Sequence, residues 1–339
     1  MGGRSRASEK LLVWLGNPFF SSFLAAPGRR VLNAPYSPGG IYTPENILEL
    51  TGGVMPDVLL AADQSVPPYL LGMEDMPCLT LFYSVDAHIH SWQPVYARGF
   101  DLCLVSLKEY LPLFAGSACL FHFPPYAQDG HRPPAPAPER DLDMVFVGTL
   151  DPELAPRRCS FIAELREKFP SLHVARGAFA DLYARAELIL NECSRNELNF
   201  RVFEAMGMGG CLLTPDIGPS LTELFTPGKE LFTYPPYAVG ELIALAERLL
   251  ADAPLREKVA AAGLAAVDAG HRASHRAKAF AGIIGELFSS GKAAELIAAR
   301  LRGAPQIRRN FLRPLYLHHA ATVGVDFLRD RYLQAAKKH

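Results

Sequence analysis

Residues 198–210 read LNFRVFEAMGMGG and run directly into CLLTPDIGPSLTELFTPGKEL at 211–231. The first stretch is an apolar helix, Gly209 and Gly210 stop it, and CLLT opens a short buried strand. Upstream, ELIL at 187–190 ends another apolar strand in a polar loop. Strand, loop, helix and strand in that order form the unit of a parallel α/β sheet. An apolar helix that still carries Asn199, Arg201 and Glu204 near its start raises the question of what those three groups serve.

The same alternation extends through most of the 339 residues. In the first half, strands are expected at 11–15, 30–33, 57–61, 78–84, 102–106 and 119–123, with helices at 44–50, 67–73, 92–98 and 107–114. Their apolar residues run continuously instead of alternating, as in strands covered on both faces. Residues 124–138 then hold six prolines, which remove backbone donors and stiffen the chain. Strands resume at 144–147, 172–175, 188–191, 211–214 and 230–233, with helices at 156–169, 179–185, 199–208 and 219–224 and a helical run from 239 to about 299. In the tail, Val323, Phe327, Leu328 and Tyr332 have helical spacing and predict a helix docked on the body. The expected architecture is α/β. It has a Rossmann-like domain at 1–123, a proline-rich linker at 124–140, a second Rossmann-like domain at 141–303 and a helical extension at 304–339. Two such domains in tandem are expected to face a cleft, because open α/β sheets bind ligands beyond the carboxyl ends of their strands.

Composition narrows the partners. The formal net charge is −1, so no global basic field holds nucleic acid. Six cysteines lie scattered, mostly in apolar runs and without a CxxC pair, and read as reduced core residues of a cytoplasmic protein. Arg4, Arg6 and Lys10 precede LLVWLGNPFFSSFLAA, but Gly16-Asn17-Pro18 interrupts the apolar run, so LLVWLG reads as a first strand and not a leader. No apolar run is long enough to span a membrane.

Several stretches taken together resemble the carboxyl-terminal domain of GT-B glycosyltransferases. There a helix of the form xxxEAMAxG leads to a strand like PVVATD. The resemblance is to the group-1-like branch that includes spore-maturation CgeB-like proteins, with NxRxFEAxxxG and a later LFxPGKEL. Here those stretches are NFRVFEAMGMGG and LFTPGKEL, joined by MVFVGTL at 144–150 and HRASHRA at 271–277. The resemblance covers about 141–277 strongly and the first half weakly.

It implies a nucleotide-diphosphate sugar as donor, an unspecified hydroxyl as acceptor and no cofactor. The resemblance gives Glu204 the ribose diol; a carboxylate accepts from both hydroxyls, and such charge-assisted bonds are the stronger kind. Arg201 can fork onto phosphate oxygens, and Asn199 stands at a helix N-terminus, where free N–H groups favour an anion. Gly218 and Ser220 open the next helix toward the same phosphates, and Arg157 or Arg158, after the strand that ends near Thr149, is expected to neutralise the diphosphate leaving group. Blander roles fit the same spacing: Arg201 can pair with Glu204 three residues on, Asn199 can cap the helix, and the arginines can be solvated. Many retaining members carry a second Glu eight residues before the ribose-binding one. That position is Asn196 here, with Glu197 out of step by one.

In the first half, LFYSVDAHIHSW at 81–92 places Asp86, His88 and His90 beyond a buried strand. Asp86 or His88 is the candidate general base for the acceptor hydroxyl; the alternatives are a helix cap by Asp86 with satisfied loop histidines, or metal binding by His88 and His90. Gly16, in LGNPFF at 15–20, lets the backbone approach a ligand closely, and the resemblance puts this loop near the donor phosphates or the acceptor; Asp63 and Gln64 are candidates to line the acceptor side. His271 and His275 share a helix face without an evident third ligand and read as structural. The resemblance is to GT-B and not to the metal-dependent GT-A class, so no essential metal is expected. The resulting expectation is a metal-independent glycosyltransferase. The alternatives are a nucleotide-sugar epimerase or hydrolase on the same fold, or a non-catalytic nucleotide-sugar-binding protein. The absence of a glycine-rich fingerprint argues against a dehydrogenase.

Overall fold

The computed structural model describes residues 9–193, 195 and 197–337. The chain divides into two compact units, one made of 1–124 with 277–339 and the other of 125–276. The first contains strands β1 (Lys10–Leu15), β2 (Arg29–Ala34), β3 (Val58–Ala62), β4 (Leu79–Ser84), β5 (Leu102–Val105) and β6 (Leu120–His122), with helices α1 (Pro44–Leu50) and α2 (Gln93–Tyr96). The second contains β7 (Leu142–Val147), β8 (Leu172–Ala175), β9 (Ala186–Leu190), β10 (Cys211–Pro215) and β11 (Phe232–Tyr234). Its helices are α3 (Pro156–Lys168), α4 (Ala180–Arg185), α5 (Phe200–Gly207), α6 (Pro219–Thr222), α7 (Val239–Leu250) and α8 (Ala253–Gly270). Helix α9 (Ala273–Ser289) carries the chain back, and α10 (Lys292–Ile307), α11 (Arg313–Thr322) and α12 (Asp326–Lys337) complete the first unit.

Both sheets are parallel throughout, in the orders β2-β1-β3-β4-β5-β6 and β11-β10-β9-β7-β8. Each order reverses direction once, between β1 and β3 in the first and between β7 and β9 in the second. The continuous apolar strands predicted this. Every residue of β3 and β4 is buried. In the second sheet, Val145, Ile189 and Leu212 join one apolar cluster, and their neighbours Met144, Leu188 and Leu213 join another. Adjacent residues of a strand point to opposite faces, so the second sheet is covered on both sides.

The expected strands are present with ends displaced by a residue or two. Residues 67–73 differ: helix was expected, and the segment is extended, bridges Tyr42 to Leu70 and ends in a short 3-10 turn at Met73–Asp75. Pro68 disfavours the helical region for the residue before it, and the Tyr69 hydroxyl instead donates to the carbonyls of Leu15 and Ala62, at 3.0 and 2.5 Å. Residues 108–114 likewise form a 3-10 helix around Pro112.

The division of the chain also differs from the expected boundaries. Residues 277–303 were placed with the second domain, yet α10 belongs to the first unit. The reason is Arg300, which is 5% exposed. Its Nε donates to Asp101 Oδ1 at 2.8 Å, and its two Nη atoms donate to the carbonyls of Met73, Glu74, Met76 and Cys78 at 2.7–2.8 Å. The guanidinium thus satisfies carbonyls that an irregular segment could not satisfy alone. Arg308 repeats the device by donating to Glu74 Oε1 at 3.0 Å and to the Asp75 carboxylate at 2.6 Å. The expected linker, 124–140, is held within the second unit. Ala127 pairs with the backbone on either side of Arg272, whose Nη1 donates to the carbonyls of Gln128 and His131.

The tail helix docks as expected. The Tyr332 hydroxyl donates to Pro68 O at 2.8 Å and its ring stacks on Tyr316, whereas Phe327 is 54% exposed with the Arg331 guanidinium over it. No helix among the described residues is long and apolar enough to cross a membrane.

Replacing Arg300 with Met removes the cation from beside the buried Asp101 carboxylate and one donor from each of four carbonyls. The expected loss is about 3–5 kcal/mol of stability in the first unit. Both tryptophans, Trp14 and Trp92, lie in that unit, so their fluorescence during urea unfolding reports it directly.

Candidate functional site

In the second unit the sheet reverses order between β7 and β9, the position at which open α/β sheets take ligands. The residues just past β9 are polar and buried: Asn191 is 0% and Glu192 2% exposed. Asn191 Nδ2 donates to Thr214 Oγ1 at 3.0 Å and to Cys193 Sγ at 3.2 Å, and its carbonyl accepts from the Tyr234 hydroxyl at 2.6 Å. This network ties the carboxyl ends of β9, β10 and β11 together. The loop that follows is thereby held in place, and it leads to α5.

Asn199 occupies the N-cap of α5, with extended backbone, but its side chain makes no capping bond. Its Nδ2 instead donates to Asn191 Oδ1 at 3.2 Å, and its own Oδ1 is buried without a partner among the described residues. Arg201 lies beside the Tyr183 hydroxyl and near Glu204. Among the described residues, the Glu204 carboxylate forms neither an ion pair nor a hydrogen bond, so the Arg201–Glu204 pairing that the spacing allows does not close. Burial pushes the Glu204 carboxyl up to about 6, with Arg201 pulling the other way. A half-buried carboxylate with no partner among the described residues, one turn from an arginine, can accept hydrogen bonds from a donor-rich group beside a cation.

The two arginines after β7 separate. Arg158 Nε donates to Glu192 Oε2 in a short ion pair, and its Nη1 reaches Thr149 O at 3.5 Å. Arg157 or Arg158 was expected to neutralise the diphosphate leaving group; of the two, Arg158 has its charge compensated by a buried glutamate. Arg157 is exposed, with its guanidinium 4.2 Å from the centroid of the Tyr237 ring. Tyr237 itself has φ +63, a conformation rare for a side chain of its size, and its hydroxyl lies beside Glu192. Past β10, Gly218 (φ +77) donates its N–H to Asp216 Oδ1 at 3.0 Å, and Ser220 is buried at the start of α6. Asn196 lies outside the described residues. Its neighbour Glu197 is 7% exposed and accepts from the backbone N–H of Arg195 at 2.8 Å. The structure thus brings Asn199, Arg201, Glu204, Arg158 and Thr149 to one edge of the second sheet, and adds Asn191, Glu192 and Glu197. The signal for the first two was a polar pair directly after a buried strand, in LILNE.

Gly16 belongs to the first unit. It ends β1 with φ +90, and a Cβ there would lie 2.5 Å from the Tyr69 hydroxyl and 2.9 Å from Ala62 O. Steric closure against its own sheet therefore requires glycine at this position. The loop after β4 places Asp86 and His88 at the same edge. Asp86 Oδ2 accepts a short bond from Ser65 Oγ, and the Asp86 carbonyl accepts from the N–H groups of Ile89 and His90 at 2.9 Å. Burial raises the Asp86 carboxyl above its ordinary value and the Asp63 charge raises it further; the Ser65 hydroxyl, His88 and His90 oppose this. The His88 ring meets Tyr110 edge-on at 6.5 Å. His271 packs between Phe203 and Phe225, and His275 Nδ1 accepts from Arg272 N at 3.2 Å, as structural residues do. Among the described residues no group of three or more His, Cys, Asp or Glu is arranged to hold a metal ion.

Residues 157–282, less than half of the chain, match a family model described as glycosyl transferase-like. No curated protein sequence matches the chain significantly. Among solved structures, the chain is similar to sucrose-phosphate synthase from Thermosynechococcus elongatus, with 13% identity, a TM-score of 0.56 and coverage of 83% of this chain and 100% of that one. It is similar to HepE of Anabaena in complex with UDP and glucose, with 12% identity, a TM-score of 0.53 and coverage of 81% and 99%. A glycosyltransferase from Rickettsia africae ESF-5 gives 9% identity, a TM-score of 0.56 and coverage of 83% and 99%. At these identities the likeness speaks to the fold, and the two parallel α/β units are those of the GT-B glycosyltransferase fold.

Proposed function

We propose that the chain is a glycosyltransferase that binds a nucleotide-diphosphate sugar in its second unit and transfers the sugar to an acceptor hydroxyl. The observation that carries this is the Glu204 carboxylate, half-buried and without a protein partner among the described residues, beside Arg201 on a helix inside the matched segment. HepE, of the same fold, was solved with UDP and with UDP-glucose, which supports a donor of that class. Glu204 accepts from the ribose hydroxyls, and Arg201 with the N–H groups opening α5 meets the diphosphate. The Arg158–Glu192 pair stands behind that diphosphate at the carboxyl edge of the sheet and sets its electrostatic background. Asp86, assisted by His88, removes the proton of the acceptor hydroxyl. The motif NFRVFEA favours the CgeB-like branch, and catalysis proceeds without a metal.

Thermal shift with the diphosphates of uridine, guanosine, adenosine and thymidine, followed by calorimetry, identifies the donor nucleotide. Glu204→Gln weakens that nucleotide by about 1–3 kcal/mol, and an unchanged affinity removes the ribose role. Affinity for the wild-type protein rises with pH through about 6 as Glu204 ionises, and Glu204→Gln loses that rise.

Without ligand the effect on stability runs the other way. Because Glu204 is held at about 6 against an ordinary 4.5, the folded chain binds its proton more tightly. The resulting stabilisation is complete below the ordinary value and lost as pH rises through the folded one. Above that window the ionised carboxylate costs about 1–2 kcal/mol. Glu204→Gln therefore stabilises the free protein at pH ~8 by about that amount and gives no gain at pH ~4, measured by urea midpoints.

Asp86→Asn lowers turnover by about 10²–10⁴-fold, with nucleotide affinity unchanged by calorimetry. Full turnover in that variant assigns the proton transfer elsewhere.

A further inference from the structure

The loops after β3 and β4 are joined by a ring of hydrogen bonds centred on Asp63, a residue 4% exposed. Asp63 Oδ1 accepts from the backbone N–H of Ser65 at 2.9 Å. Its Oδ2 accepts from the backbone N–H groups of Val85 at 2.9 Å and Asp86 at 2.7 Å, and from Gln93 Nε2 at 2.7 Å. Gln93 is wholly buried, and its Oε1 accepts from Ser84 Oγ at 2.5 Å. The Ser65 hydroxyl closes the ring by donating to Asp86 Oδ2. Ser65 has φ +50, a conformation that residues other than glycine rarely adopt, and in it the N–H serves Asp63 while the hydroxyl serves Asp86.

We propose that Asp63 is a positioning residue for Asp86, fixing its backbone directly and its carboxylate through Ser65 at the carboxyl edge of the first sheet. The proposal rests on Asp86 being the base in the reading above. A base on a free loop samples many directions. Here the loop N–H groups are bound to an anion that is itself anchored in the core, so the carboxylate keeps one direction. The same arrangement bears on proton affinity. The groups facing Asp86 are Asp63, Ser65, His88 and His90: Asp63 favours the protonated form of Asp86, and the other three favour the ionised form. Tyr69 and Cys103, which also feel the Asp63 charge, are buried and neutral, so they do not screen it.

The two halves of the ring therefore have opposite signs, which a merely structural brace would not show. The test is an NMR titration of the full-length protein labelled at aspartate ¹³Cγ, with the Asp86 resonance identified by its loss in Asp86→Asn. Asp63→Asn removes the like charge and is expected to lower the Asp86 midpoint by about one pH unit. Ser65→Ala removes a bond to the ionised form and is expected to raise it. Midpoints that stay in place, or that move together, overturn the proposal. If Asp63→Asn does not fold, Ser65→Ala alone carries the test, and an unmoved midpoint refutes it. Turnover of the nucleotide sugar selected by the calorimetric panel separates the two claims. Opposite midpoint shifts with a fully active Asp86→Asn sink the base assignment and leave the ring. Unmoved midpoints with an inactive Asp86→Asn sink the ring and leave the base assignment.

Discussion

A parallel strand buried on both faces has no room for polar chemistry except at its ends. β3 and β4 are buried at every position, and β7, β9 and β10 feed apolar clusters on opposite faces of the second sheet. β3 and β4 accordingly carry no Asp, Glu, His, Lys or Arg, and open α/β sheets take ligands at the carboxyl-side loops where strand order reverses. Gly16 and Asp63 follow β1 and β3, and Thr149 and Glu192 follow β7 and β9, the strands flanking the reversal in each unit.

Loops so placed need anchors, and the chain supplies them as buried ions with full sets of partners. Asp63 collects four donors from three segments. Arg300 serves four carbonyls and Asp101, and Arg272 serves the carbonyls of Gln128, His131 and Gly207. An isolated buried charge is costly, so its value lies in fixing irregular backbone that no sheet or helix ladder satisfies. Against that background the Glu204 carboxylate stands out, because the described protein groups leave it uncompensated, and burial raises its proton affinity accordingly.

Several features of the candidate site were legible in NFRVFEA. The helix, its N-cap and the polar group at each position follow from local pattern and from resemblance. The companions were not. Glu192 and Glu197 look like ordinary polar loop residues in NECSRNEL, and only packing shows them buried. Arg157 and Arg158 are interchangeable in the sequence, and only the fold sets the Glu192 carboxylate against Arg158. Asp63 reads in AADQS as an acceptor-side residue, and its bonds to N–H groups about twenty residues further along the chain appear only in the fold.

The amino-acid sequence by itself determined the parallel α/β class, the strand positions to within a residue or two and the GT-B resemblance, because these depend on local apolar runs and short motifs. Tertiary structure decided which residues share a unit and which charges are paired. Arg300 assigns α10 to the first unit against chain order, and proline-bound 67–72 runs extended so that Tyr69 can seal the end of β1. These outcomes turn on hydrogen bonds between residues far apart in the chain, which local periodicity does not encode.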